Sequence, residues 1–356
     1  VKLKVYLADL FHDGLGANQY VPLNIGYIGA YIAEKFGNDI SVDLFKSPDE
    51  LLDNVDKEPP HILALSNYCW NSNLNEFVAK QVKGRFPDIP IIMGGPNIRT
   101  EESGISEFLE RADYVDTYTM YSSEVVFADL IEAALGFGAF GRSESSHSFS
   151  YAIRKSDSPG AYSLVDGSLV GGPREETRKD LDFIPSPYLN GMLDRFLDQN
   201  MIPVIETNRG CPFSCTFCVW GIAALSKVKT FSLESVYADL DYVSHYGQTF
   251  PQLCFADANF GILKRDVEIA QHLRRLYEQT NAFPSVDIYW SKSAQPHMLE
   301  VGKALGNLSN TYVAFQSLDP IVLSEMKRKN ISLEKLANLV TGLRQFSHNA
   351  QTDILL

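Results

Sequence analysis

Glu206-Thr-Asn-Arg-Gly-Cys211-Pro-Phe-Ser-Cys215-Thr-Phe-Cys218-Val-Trp220 decides how the second half of this chain is read. Cys211, Cys215 and Cys218 stand at Cys-x3-Cys-x2-Cys spacing, with Phe217 just before the third. Three thiolates on one tight loop can hold three irons of a 4Fe–4S cluster and leave the fourth iron without a protein ligand. Pure electron carriers normally use four cysteines, so an open iron points to binding a substrate rather than to simple electron storage. A structural zinc site wants four ligands, and the nearest other candidates, His147 and His245, lie far outside the loop. A disulfide would leave one of the three cysteines over.

Outward from this loop, strands and helices alternate. Met201–Thr207 reads as the strand that delivers the cysteines. Gln252–Asp257, Ser285–Trp290, Asn310–Gln316 and Thr352–Leu356 read as further strands, separated by helical patterns over Ser232–Tyr246, Lys264–Gln279 and Leu333–Phe346. Such alternation fits a parallel α/β barrel with its chemistry on loops at the strand carboxyl ends. The cysteine loop sits at that end of its strand.

The cysteine spacing, together with Arg209-Gly210-Cys211-Pro212, resembles the radical S-adenosylmethionine (SAM) superfamily. The resemblance implies that Cys211, Cys215 and Cys218 ligate the cluster, that SAM chelates the open iron, and that reductive cleavage of SAM yields a carbon radical. It implies further SAM contacts: Phe217 near the adenine, and Asp257 and Asn259 in Phe255-Ala-Asp-Ala-Asn-Phe260. Lys292 in Ser291-Lys-Ser293, Gln316 and Ser317 after the fourth strand, and Arg328 in Glu325-Met-Lys-Arg328 complete the set. Competing readings stay open: an Asx turn for Asp257 and Asn259, and ordinary solvated charges for Lys292 and Arg328. Barrels of this family have six βα units, so the second half is expected to be a partial (β/α)6 barrel, truncated after its fifth strand. No catalytic group beyond the cluster is identified.

The first 135 residues also alternate. Strands are expected over Leu3–Leu10, Ile40–Phe45, His61–Ser66, Pro90–Gly95 and Tyr114–Tyr121. Helices are expected over Pro22–Phe36, Pro48–Val55, Asn73–Phe86, Glu101–Glu110 and Glu124–Leu135. Near-continuous apolar strands such as Ile62-Leu-Ala-Leu65 suit a parallel sheet buried on both faces. The result is a Rossmann-like, doubly wound parallel sheet with its ligand crevice beyond the strand carboxyl ends. This half resembles the cobalamin-binding domain that precedes many radical SAM barrels, which implies cobalamin contacts at Ser66, Gly94, Gly95 and Glu124. Two departures stand out. Tyr121-Ser-Ser-Glu124 replaces the family's common Gly-Glu-Gly-Glu, and the Asp-x-His-x-x-Gly cobalt-ligating motif is absent, since Asp9, His12 and Gly14 are spaced wrongly for it. An empty, degenerate crevice is the alternative.

Residues 136–200 read as a connection with a small hairpin. Strands are expected at Ser150–Arg154 and Ala161–Val170, with Asp166-Gly167 as the turn. The domains are thus 1–135, 136–200 and 201–356. A net charge of −13 lacks the basic signature of a nucleic-acid surface. No apolar run is long enough to span a membrane, and Val1–Leu10 reads as a strand rather than a signal peptide. Three clustered cysteines among five fit a reducing compartment, so a cytoplasmic enzyme is expected. Its partners would be a small-molecule substrate and an electron donor such as flavodoxin or ferredoxin, with no nucleic acid and no membrane. The resemblance favours a cobalamin-dependent methyltransferase. A cobalamin-associated rearrangement or cyclisation, and a non-catalytic fragment, are the alternatives.

Overall fold

The computed structural model describes residues 2–12, 19–136, 146–174, 178–222, 225–247, 250–291, 296–309, 311–312, 316–330, 332–343 and 350–351. The chain divides into two compact units, Val1–Thr177 and Arg178–Leu356. The connection expected over 136–200 is therefore shared between them.

In the first unit, strands β1 (Leu3–Ala8), β2 (Ile40–Phe45), β3 (Ile62–Ser66), β4 (Ile91–Gly94) and β5 (Thr117–Thr119) pair in parallel in the order β2-β1-β3-β4-β5. Leu3, Val5, Leu7, Ile62, Leu63 and Ile91 are wholly buried, which a sheet covered on both faces requires. Helices α1 (Leu23–Phe36), α2 (Pro48–Lys57), α3 (Ser72–Arg85), α4 (Glu102–Arg111) and α5 (Ser123–Gly136) connect or follow these strands. Local chemistry fixes the start of α2. Ser47 caps α2 by accepting a hydrogen bond from Glu50 N, and Pro48 occupies the first helical turn, where a missing N–H costs nothing. The strand order reverses beside β1, placing the switch point at the carboxyl ends of β1 and β3.

Two findings differ from the sequence reading. Ser150–Arg154 is not a strand but the end of helix α6 (Ser146–Arg154). The hairpin β6 (Ala161–Val165) and β7 (Ser168–Gly171) forms on the Asp166-Gly167 turn, both residues at positive φ (51° and 76°), and it does not stand alone. It pairs antiparallel with β5 and extends the sheet to seven strands. A Thr117–Ser163 hydroxyl contact of 2.8 Å ties the join.

In the second unit, β8 (Val204–Ile205) and β12 (Ser285–Asp287) flank β11 (Gln252–Phe255) in a parallel sheet. β9 (Asn208–Arg209) and β10 (Lys229–Thr230) pair antiparallel and close the loop that carries the cysteines. β13 (Thr311–Tyr312) and β14 (Ala350–Gln351) form a further parallel pair. The helices are α7 (Asp194–Leu197), α8 (Leu233–Ser244), α9 (Asp266–Thr280), α10 (Pro296–Leu305), α11 (Pro320–Glu325) and α12 (Leu333–Leu343). α8 and α9 bury Val236, Leu240, Val243, Ile269, Leu273 and Leu276, the i, i+3/i+4 stripe of core-facing helices. Thr352–Leu356, expected as a strand, lies outside the described residues. Among the described residues, no helix is long and apolar enough to cross a membrane.

Candidate active site

β8 runs into β9, and the chain then turns at Gly210 into the cysteine loop. Gly210 adopts φ 118°, which favours glycine alone, and a Cβ there would collide with the Lys227 carbonyl. Cys211 N donates to Leu225 O at 2.9 Å, so the loop closes on itself. Cys218 N donates to Cys215 O (3.1 Å) and Gly221 N to Cys218 O (2.9 Å), winding the third cysteine into a tight turn. Met326 O and Glu325 O receive the Thr216 N–H and hydroxyl at 3.1 and 3.2 Å, bracing the loop from the end of α11. Cys211 and Cys215 are buried, Cys218 is half-buried and Phe217 is exposed.

At the carboxyl end of β11, Asp257 has no exposed surface. Its two oxygens accept from Thr207 N (2.7 Å), the Thr207 hydroxyl, Asn208 N (3.2 Å) and Asn208 Nδ2 (2.7 Å). The carboxylate therefore staples β11 to the strand that feeds the cysteine loop. Burial pushes its pKa up to about 7, against the pull of those donors. Two residues on, Asn259 is 1% exposed, and its Nδ2 donates to Cys211 Sγ at 3.1 Å. Asn259 Oδ1 is buried with no hydrogen-bond partner.

Gln316 stands at φ 65°, and Ser317 Oγ accepts from Asp319 N at 3.1 Å. Arg328 is 7% exposed and donates from Nε to Asn330 Oδ1 at 2.8 Å, while Asn330 Nδ2 reaches Ser317 O at 2.7 Å. Asn330 thus links Arg328 to Ser317, the neighbour of Gln316, and the Thr216 contacts join the segment just before Arg328 to the cysteine loop. Lys292 lies outside the described residues.

Among the described residues, no three His, Cys, Asp or Glu side chains converge on a single metal ion. In a cubane cluster each thiolate ligates its own iron, so no such convergence is required. The donor set fits the cluster: three thiolates on one loop, two of them buried, with an amide N–H on one sulfur.

In the first unit, Ser66, Gly94 and Thr119 lie in register across the carboxyl ends of β3, β4 and β5. Ser66 Oγ donates to Asp9 Oδ1, which leaves its lone pairs for another donor. A Cβ on Gly94 would meet Thr119 Oγ1, and one on Gly95 (φ 130°) would stand 2.5 Å from Asn67 O. The two glycines first of all admit these neighbours. Asn67 in turn bonds Asn97 O and the Tyr118 hydroxyl, both at 3.2 Å, which ties the loops together. Glu124 is buried in the first turn of α5. Tyr68 and Trp70, in the loop that follows β3, are not among the residues expected from the sequence to contact cobalamin. They stack with ring centroids 4.5 Å apart, and Trp70 is 58% exposed, giving a flat apolar face beside Ser66. A corrin ring, flat and fringed with amides, suits such a face and acceptor. Aromatic residues two positions apart in a strand-end loop were the available signal.

No protein-family model matches the chain. It is 30% identical over 362 residues to the cobalamin-dependent radical SAM methyltransferase TokK of Streptomyces tokunonensis, covering 98% of this chain and 50% of that protein. It is likewise 30% identical over 369 residues to the 2-(S-pantetheinyl)-carbapenam-3-carboxylate methyltransferase of Streptantibioticus cattleyicolor, with the same two coverages, 98% and 50%. The chain spans about half the length of the curated relatives it matches. Among solved structures, the radical SAM methyltransferase TsrM of Kitasatospora setae superposes with a TM-score of 0.71 at 14% identity, over 99% of this chain and 67% of that one. TsrM was solved with tryptophan and a SAM analogue, and also with cobalamin and a 4Fe–4S cluster.

Proposed function

Because this chain belongs to the cobalamin-binding-domain-containing radical SAM family, we propose that it uses a 4Fe–4S cluster, SAM and cobalamin to methylate a small-molecule substrate. The observation that carries this reading is the cysteine loop, with Cys211 and Cys215 buried and the Cys211 sulfur held by Asn259. When bound, the cluster and SAM supply one-electron chemistry and cobalamin supplies the methyl group.

The chain's own residues hold, orient and exclude water. Cys211, Cys215 and Cys218 bind the cluster. Exposed Phe217 offers a ring face to an adenine. Gln316 and Ser317 serve the SAM ribose, and Lys292 and Arg328 its carboxylate. Asp257 acts one step back, fixing the strand that presents the loop. Ser66, Gly94, Gly95 and Glu124 line the cobalamin crevice, with the Tyr68–Trp70 stack as its flat wall. The parallel β8, β11 and β12 sheet is part of a (β/α)6-type barrel. A net charge of −13 disfavours nucleic acid as a substrate, and the electron donor, of the flavodoxin or ferredoxin class, would dock on a local patch rather than through the overall charge.

Anaerobic reconstitution with iron, sulfide and hydroxocobalamin tests the reading. Retained cobalamin near one per chain, with reductive SAM cleavage that Cys215→Ala abolishes, is the expected result. A cluster without retained cobalamin would remove methyl transfer from the reading, and the absence of a cluster would remove the whole of it.

A further inference from the structure

Asn259 makes a contact that binding SAM does not require. Its Nδ2 lies 3.1 Å from Cys211 Sγ, both side chains are almost wholly buried, and they come from strand ends far apart in sequence. The amide orientation follows from electrostatics, since the reverse would set a carbonyl oxygen against a thiolate. Leaving a buried amide oxygen unpaired costs about 1–3 kcal/mol, and Asn259 Oδ1 bears that cost. A residue with only a packing role would be better replaced by an apolar side chain. The N–H···S bond is what sets Asn259 apart.

Hydrogen bonds to cluster sulfurs withdraw electron density and stabilise the reduced cluster, which carries one more negative charge. Outer partners of metal ligands tune their metal in this way. We propose that Asn259 is a positioning residue that raises the reduction potential of the cluster through the Cys211 thiolate. Asp257 supports it from two residues away by clamping the loop to Thr207 and Asn208. The loop between β11 and α9 then sets how readily the site accepts its electron from an external one-electron donor. The inference rests on Cys211, Cys215 and Cys218 holding a cluster.

The test is a redox titration of the reconstituted protein, read by EPR of the reduced cluster, with dithionite as the electron source. Wild type is compared with Asn259→Leu, which keeps the branched outline at a larger volume, and with Asn259→Ala. Iron and sulfide content is measured on each. Both variants should hold the cluster and titrate at lower potential. At a fixed potential the reduced-to-oxidised ratio should fall about tenfold, or ~59 mV for one electron. Cluster-loaded variants with the wild-type midpoint overturn the proposal while leaving the cluster reading intact. A wild-type protein that takes up no iron overturns both.

Discussion

Gly210 meets two demands at once in the cysteine loop. Its φ of 118° lies where L side chains are strained, and the Lys227 carbonyl fills the space a Cβ needs. Strain of about 1–3 kcal/mol would fall on the turn that aims Cys211, with the steric clash added to it. Gly210→Ala should therefore cut iron uptake on reconstitution to a small fraction of wild type while far-UV circular dichroism stays unchanged. Gly84→Ala is the contrast. Gly84 sits in α3 with open space around its Cβ position, so the change should stabilise the protein by about 0.5–1 kcal/mol and leave iron uptake alone. Equal iron uptake by Gly210→Ala and wild type would show that the loop does not depend on this turn. The cysteines were legible in sequence because a loop motif is local. The Asn259–Cys211 contact was not, because it spans 48 residues and exists only after β8 and β11 pair.

At the scale of elements, β1–β5 were readable because buried parallel strands are short apolar runs between polar helices. α6 was misread for a physical reason. Five residues, Ser150–Arg154, are too few to separate a period of 2 from one of 3.6. Phe149, Ala152 and Ile153 supply i, i+3, i+4 spacing, and Ile153 is buried while Tyr151 faces out. The hairpin turn was legible, but its docking on β5 was not, since a turn signal says nothing about which edge a hairpin covers. That docking gives a prediction. Gly167→Ala meets no neighbour and suffers only strained φ, about 1–2 kcal/mol. Gly171→Ala is strained too (φ 118°), and its Cβ would also run into the Ala161 carbonyl across the ladder. Denaturant unfolding should therefore show Gly171→Ala as clearly the more destabilised, with the loss concentrated in the first unit. Equal losses would mean that the β6–β7 register yields without cost.

Over the whole molecule, the second unit buries three carboxyls whose pKa values burial raises: Asp239 to about 6, Asp257 to about 7 and Asp266 to about 6. Each stands above its unfolded value of about 3.9, so the folded state binds these protons more tightly. Below about pH 4 the groups are neutral in both states and add no penalty. As pH rises through the folded values, each must carry a buried charge or keep its proton at a cost, and stability falls until about pH 7–8. Self-repulsion at net charge −13 acts in the same direction. Asp239 separates the two effects. It accepts one hydrogen bond, from Ser186, and an asparagine oxygen can accept the same bond without titrating. The apoprotein is the right sample, because bound ligands would add their own linkage. Wild type should lose stability between about pH 4 and pH 8, and Asp239→Asn should remove about 3 kcal/mol of that loss. The global charge changes by only one unit in the variant, so repulsion alone would leave the slope nearly as steep. An unchanged slope in Asp239→Asn would therefore assign the pH dependence to surface charge and leave the buried carboxyl without a part in it.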